Sequence, residues 1–391
     1  MKIKVRPQDF LVEEIAEIPS RTGGDFGLYL LEKSGWNTVD LLKRLSRESG
    51  IPFGEFAYGG KKDRHALTRQ YVTIKGAKQV SLSHAASDYS LTFLGSIGRP
   101  MGPDLIKGNR FEIVLRSLTD GESQAASADI GDLERDGYPN YFDDQRFGSL
   151  DPLQGFLAEK ILRGHHNGAL KIYLTHIRKE DKKEERERKL FFSEHWGKWQ
   201  ECSERAKTLF DRDAFELLTR DPKAFVPLLQ RIPPEEMSLF FSSYQSHLWN
   251  ELLRRIVKAK AGDSVRKYPG VAGAYLFYAC LKGEDFRYLR ELRIPTPASN
   301  TRMPDTLTEK LYAEVLTENH MRPPLFNIRK IRQAFFKGTE RKAIALPEGL
   351  SADSSPDELY RGKKKMGLKF VLPRGSYGTM LIKRLFCKAG P

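Results

Sequence analysis

The sequence predicts an α+β protein of two-domain size, and three observations carry that prediction. Its 391 residues exceed one ordinary domain. A hydrophobic fraction of 40%, with 11% aromatic, suffices to build real cores. Segments of period-two alternation or β-branched residues, near residues 10–15, 71–74, 107–116 and 368–372, stand among stretches whose apolar residues recur at helical spacing.

Residues 9–15 place Phe10, Val12 and Glu14 on one face of a strand, because side chains alternate. A partly exposed Phe10 could stack on a base; a buried one would be core. Leu28, Leu30 and Leu31 form an apolar stretch that ends in a turn at residues 33–37. Asn37 or Thr38 then caps a helix carrying Val39, Leu42 and Leu45, and Trp36 reads as buried. Residues 53–58 are short and aromatic-rich, and residues 71–74 are β-branched and read as a strand.

Between those two segments lies the stretch with the most chemistry. Asp63 is a single carboxylate among Lys61, Lys62, Arg64 and Arg69, after the glycine pair Gly59-Gly60. The pair permits a turn that residues bearing a Cβ resist. Nearby cations favour the ionised acid, which could act as nucleophile or base; the alternative is an ordinary ion pair on a solvated loop. A P-loop is excluded, since Lys62 is followed by Asp63 rather than Ser or Thr.

Further on, residues 107–116 give a strand with Phe111, Ile113 and Leu115 on one face. Asn109 precedes it, and its amide can both donate to and accept from a uracil edge, or cap a turn. Asp151-Pro152 predicts a helix start, with Leu153, Leu157 and Ile161 along one face and Gly164 as its end. Residues 178–189 carry seven basic and five acidic side chains and read as a solvated helix or mobile excursion. Pro233-Pro234 starts the longest helix, whose stripe runs through Phe240, Tyr244, Leu248 and Leu252, with His247 in a structural role.

Arg329, Lys330, Arg332, Lys337, Arg341 and Lys342 interleave with Phe335 and Phe336, which suits RNA or, equally, a basic helix with a buried aromatic face. Near the end, Leu368, Phe370 and Leu372 alternate on a strand. Ser376 is placed to cap a following helix and Tyr377 to stack on a base.

A formal net charge of +14 speaks for a polyanion partner. Three scattered cysteines argue against a disulfide framework or a paired-cysteine zinc site, and a reduced, cytoplasmic setting is expected. No metal is expected. No apolar run reaches about 18 residues and no h-region follows Met1, so neither a membrane span nor a secretory signal is expected.

Several of these patterns resemble the TruD-type tRNA pseudouridine synthases. Gly-Lys-Lys-Asp-Arg-His-Ala-Leu-Thr at 60–68 is similar to that family's signature loop, which implies that Asp63 is the nucleophile. Asp-Phe-Leu-Val-Glu-Glu at 9–14 resembles the first motif, implying that Phe10 contacts the target nucleotide and that Lys4 supplies a supporting charge. Residues 33–38, Lys-x-Gly-x-Asn-Thr, resemble another segment. Gly-Asn-Arg-Phe at 108–111 implies substrate binding by Asn109, and residues 372–379 resemble the last motif, implying a substrate contact from Tyr377. Residues 140–148 resemble the Asn-Tyr-Phe-Gly-x-Gln-Arg-Phe-Gly box, with Asp143 in place of its fourth residue; Gly378 stands where the family more often has Ala.

The resemblance implies a pseudouridine-synthase core, a mixed and mainly antiparallel sheet with helices, interrupted by an inserted α/β TRUD domain. The implied boundaries are 1–151 and 341–391 for the two parts of the catalytic domain and 152–340 for the insertion, which would form the opposite wall of an RNA cleft. The implied reaction is isomerisation of uridine to pseudouridine in tRNA, at uridine 13, with no cofactor, metal or redox partner, by a monomer. The rival reading is a non-catalytic RNA-binding or tRNA-chaperone protein with the same basic surface.

Overall fold

The computed structural model describes residues 1–19, 23–76, 84–178, 180–281, 283–328, 331 and 335–389. The chain divides into two compact units: residues 1–138 with 345–386, and residues 139–344 with the C-terminal residues from 387.

The first unit is built on one nine-stranded sheet. In chain order its elements are β1 (Phe10–Ala16), β2 (Phe26–Lys33), α1 (Thr38–Ser49), β3 (Phe56–Tyr58), β4 (Leu67–Lys75), β5 (His84–Ala85), β6 (Tyr89–Ile97), β7 (Ile106–Leu118), α2 (Asp120–Asp136), β8 (Glu348–Pro356), β9 (Lys364–Pro373) and α3 (Gly378–Leu385). Across the sheet the strands run β8-β9-β7-β1-β4-β2-β6-β5, with β3 also on β4. β1 and β4 are parallel and the other pairs antiparallel, giving a mixed, mainly antiparallel sheet.

The register explains where the charged loop emerges. One edge of β4 is occupied by β2, which pairs with residues 68–75. The other edge is shared: β1 pairs with residues 67–69 and β3 with residues 72–74. The chain leaves β3 at Tyr58 and returns at Leu67, so residues 59–66 lie where β4 changes partner, bounded by paired backbone at both ends.

One face of the sheet carries the expected alternation. Phe10, Val12 and Glu14 of β1 are buried and stand opposite Ile113, Phe111 and Asn109 of β7. Phe370 and Leu372 of β9 continue the rows. On the β2–β4–β6 side, Leu41, Leu42 and Leu45 of α1 pack on Tyr29, Leu31, Val72 and Leu91. Complete burial of each such leucine contributes roughly 1.5–3 kcal/mol. Thr38 does not cap α1: Asn37 holds the N-cap position without a side-chain capping bond, and Thr38 is buried beneath the loop instead. Trp36, expected in the core, is only half-buried and donates its indole N–H to Asp88.

The second unit is mostly helical. Its longest helix, Pro234–Ala261, starts at the predicted proline and buries Phe240, Tyr244, Leu248 and Leu252. His247 packs against Phe156 and Tyr244. The charged run enters a helix at Lys183–Glu194, and Lys189 pairs with Asp181 and Glu185. The helix expected from Asp151 begins only at Leu157. Asp151 instead closes a turn, its carboxylate accepting the amides of Leu153 and Gln154, which leaves Leu153 96% exposed.

Of the basic run near 335, Arg329, Lys330 and Arg332 lie outside the described residues. Arg341 is a brace: its guanidinium donates to the carbonyls of Asn140 and Tyr141 and lies over the rings of Phe142 and Trp249. Asp143, in place of the family glycine, has φ −84°, ordinary for any L-residue.

Candidate active site

Asp63 sits on the loop between β3 and β4, with about a quarter of its side chain exposed. Three of the four cations near it in sequence point elsewhere. Arg64 donates to the carbonyl of Gly35, and Arg69 pairs with Glu32 at 2.6 Å. Lys62 reaches Asn109 Oδ1 at 2.7 Å and lies 2.7 Å from the buried carboxylate of Glu14. The ammonium that meets Asp63 comes from Lys4, which hydrogen-bonds to Oδ2. Oδ1 accepts the amide of His65 at 2.9 Å. Burial pushes the Asp63 pKa up, but the bond and charge of Lys4 and the His65 amide outweigh it, and the acid titrates below its ordinary value. It is therefore an anion at neutral pH.

Lys4 reaches this position through unusual backbone. Its φ is +56°, a left-handed conformation that costs a non-glycine residue about 1 kcal/mol or more. The preceding residue but one, Lys2, exchanges backbone hydrogen bonds with Arg116 of β7. Arg116 is itself buried against Asp9 and Asp357. The N-terminal strap is thus anchored to the sheet, and the ammonium of Lys4 lies 4.5 Å from the centroid of the Phe10 ring.

Phe10 is 4% exposed, edge-on to Phe111, which stacks on Phe370. In this state it is a buried wall under Lys4, and no free ring face is offered to solvent. Asn109 lies within β7, three residues past the start of a strand that begins earlier than its sequence suggests. Its Oδ1 is taken by Lys62, so what the amide has to offer a ligand is its Nδ2–H₂ donor. Gly108 before it is closely covered: a Cβ there would lie 2.4 Å from the backbone carbonyl oxygen of Leu372 on β9.

Tyr377 is half-buried and is the N-cap residue of α3, its carbonyl accepting the Tyr138 hydroxyl at 3.1 Å. Ser376, expected to cap α3, makes no capping bond; its Oγ is buried without a hydrogen-bond partner among the described residues. Next to Tyr377, Gly378 packs on Phe111, where a Cβ would come within 3.0 Å of Cδ1. The departure from alanine thus has a steric counterpart.

Lys4, Phe10, Asp63 and Asn109 are joined by direct contacts, Asn109 through Lys62. Tyr377 is linked to them through the Phe111 ring and its neighbour Gly378. Two residues beneath the loop were given no role of their own in the sequence: Glu14, placed on a strand face within the 9–14 motif, and Lys33, placed in a turn within the 33–38 segment. Both are ionisable side chains on the inward, otherwise apolar face of their strands, and that is the signal that marks them. Chemically, the arrangement offers one fixed carboxylate, an amide donor and aromatic walls in an electropositive setting.

The family model described as tRNA pseudouridine synthase D (TruD) matches residues 1–385. A protein of Methanococcus maripaludis named as a probable tRNA pseudouridine synthase D is 34% identical, over 99% of both chains. A tRNA pseudouridine synthase D of Leptospira interrogans is 30% identical over 99% of this chain and 96% of its own. A crystal structure from Methanosarcina mazei assigned to the same family has a TM-score of 0.71 at 24% identity, covering 98% of this chain and 92% of that one. With the family model spanning almost all of its length, the chain belongs to the TruD family of tRNA pseudouridine synthases, which are isomerases.

Proposed function

We propose that this enzyme converts uridine 13 of tRNA to pseudouridine, with Asp63 as the nucleophile. The bond between C1′ of the ribose and N1 of the uracil breaks, the base turns, and C1′ bonds to C5; the hydrogen leaves C5 and N1 gains one. Atoms and electrons balance within the substrate, so the reaction needs no oxidant or energy donor. A base within folded RNA must first leave its stack. The Nδ2 donor of Asn109 then holds a uracil carbonyl, Tyr377 and Phe10 wall the pocket, and Lys4 keeps Asp63 anionic until attack.

We further propose that the first unit is the catalytic domain and the second the inserted one. The observation that carries the reading is the pairing of Asp63 with Lys4 across 59 residues of sequence, beside an asparagine tied to the same loop. Asp63→Asn is the test. It should bind tRNA as the wild type does and form no pseudouridine, by mass mapping of the product without added cofactor. Product formed at the wild-type rate, or at another tRNA position, would overturn the nucleophile or the target respectively.

A further inference from the structure

Beneath the loop lies a polar layer that the reaction as described does not use. Lys33, the last residue of β2, is fully buried. Its ammonium donates to the carbonyl of Trp36 at 2.7 Å, of Asp63 at 3.0 Å and of Lys62 at 3.5 Å. An ammonium has three hydrogens, and three carbonyls receive them. The same turn grips the loop at further points. Thr38 Oγ1 accepts the Lys62 amide at 3.0 Å and donates to Gln70 Oε1, while Gln70 Nε2 donates to the Gly60 carbonyl. The Gly35 amide donates to the Arg64 carbonyl, and Arg64 Nε donates back to the Gly35 carbonyl. Residues 33–38 therefore form a template for the backbone of residues 60–64, with one charge at its centre.

A buried ammonium is a costly way to make three hydrogen bonds; a neutral donor would avoid most of the desolvation. The charge thus calls for a use, and Asp63 supplies one. We infer that Lys33 is a positioning residue for the isomerisation: it clamps the backbone of Lys62 and Asp63 onto the turn and holds a fixed positive charge behind the reacting carboxylate. This rests on Asp63 being the nucleophile. The charged or titratable groups facing Lys33 are Asp63 and Lys62 from the loop and Tyr89, its cross-strand neighbour on β6; its neighbour on β4 is the neutral Thr68. Burial lowers the Lys33 pKa to about 8, against the attraction of Asp63 and with the repulsion of Lys62. The clamp is therefore charged at neutral pH and discharged in mild alkali.

The test compares wild type, Lys33→Met and Asp63→Asn on tRNA between pH 6 and 9. Lys33→Met keeps an unbranched stem and loses the charge. Its kcat should fall at least tenfold with KM within twofold of wild type. The wild-type kcat should decline through about pH 8, and the variant should lack that decline. Wild-type kcat in Lys33→Met, or an unchanged alkaline decline in it, overturns the proposal. If Lys33→Met does not fold, the wild-type profile decides: no decline below pH 9 overturns the proposal and a decline near pH 8 supports it. An active Asp63→Asn would instead sink the nucleophile reading, whereas an inactive one beside an unimpaired Lys33→Met sinks only the clamp.

Discussion

Lys33 also has a thermodynamic signature, independent of turnover. Its pKa is lowered from 10.5 to about 8, mainly by burial. Between those values the unfolded chain binds a proton that the folded chain does not, so stability rises with pH across that window. The cost of holding the ammonium in the fold is fully present below about pH 8 and is gone above 10.5. At about 1.4 kcal/mol for each pH unit of separation, the full span is about 3 kcal/mol. By pH 10 most but not all of it is recovered, since the unfolded lysine is then only partly neutral. Lys33→Met has no proton to lose. Urea unfolding of wild type and variant at pH 7, 8, 9 and 10 should show wild type gaining about 2–3 kcal/mol on the variant across the series. The tyrosines that titrate in the same range are common to both chains and cancel. Lost bonds to the three carbonyls shift the variant by a constant. A difference that stays level from pH 7 to 10 would refute the buried, partly discharged lysine.

Three other outcomes follow from the geometry. Lys4→Met removes the cation that holds the Asp63 carboxyl below its ordinary pKa while leaving its burial, so under the proposed mechanism the acid limb of kcat should move to higher pH; an unmoved limb would discount the pair. Gly108→Ala drives a methyl into the Leu372 carbonyl and should destabilise the unit by about 1–3 kcal/mol in urea, with a raised KM from the displaced Asn109; wild-type stability would mean that β7 and β9 part freely. Arg116→Met leaves Asp9 and Asp357 buried without their cation and should cost about 3–5 kcal/mol, visible as a lower Tm; a shift of under a degree would show that the network is solvated.

How much of this was legible in the sequence depends on the range of the interactions. Strand faces were readable because a period of two is local: 10-12-14, 111-113-115 and 368-370-372 all alternate as expected. The loop position of Asp63 followed from the strand-like segments on either side. The helix from Asp151 was not readable, because an aspartate before proline serves a turn as well as a cap. Gly155, at φ +83°, closes that turn by bridging back to Asp151 before the helix can begin. The bracing role of Arg341 was not readable because its acceptors, the carbonyls of Asn140 and Tyr141, are some 200 residues away. Lys33 looked like a turn residue because its two loop carbonyls lie 29 and 30 positions on.

The cations that surround Asp63 in sequence are not the ones that meet its carboxylate in the structure. Lys62, Arg64 and Arg69 are committed to Asn109 and Glu14, to Gly35 and to Glu32; the carboxylate itself is met by Lys4 and the His65 amide, while Lys33 binds the backbone carbonyl of the same residue. The two lysines are not equivalent. Lys4 is partly exposed, and pairs of that kind contribute little to stability, typically under about 1 kcal/mol. The backbone strain at its φ of +56° is of similar size. The pair therefore adds next to nothing to the fold, and what it changes is the ionisation of Asp63. Lys33 costs the fold outright through desolvation. Neither ammonium is therefore explained by stability, and under the proposed mechanism both act on the single carboxylate that must attack as an anion.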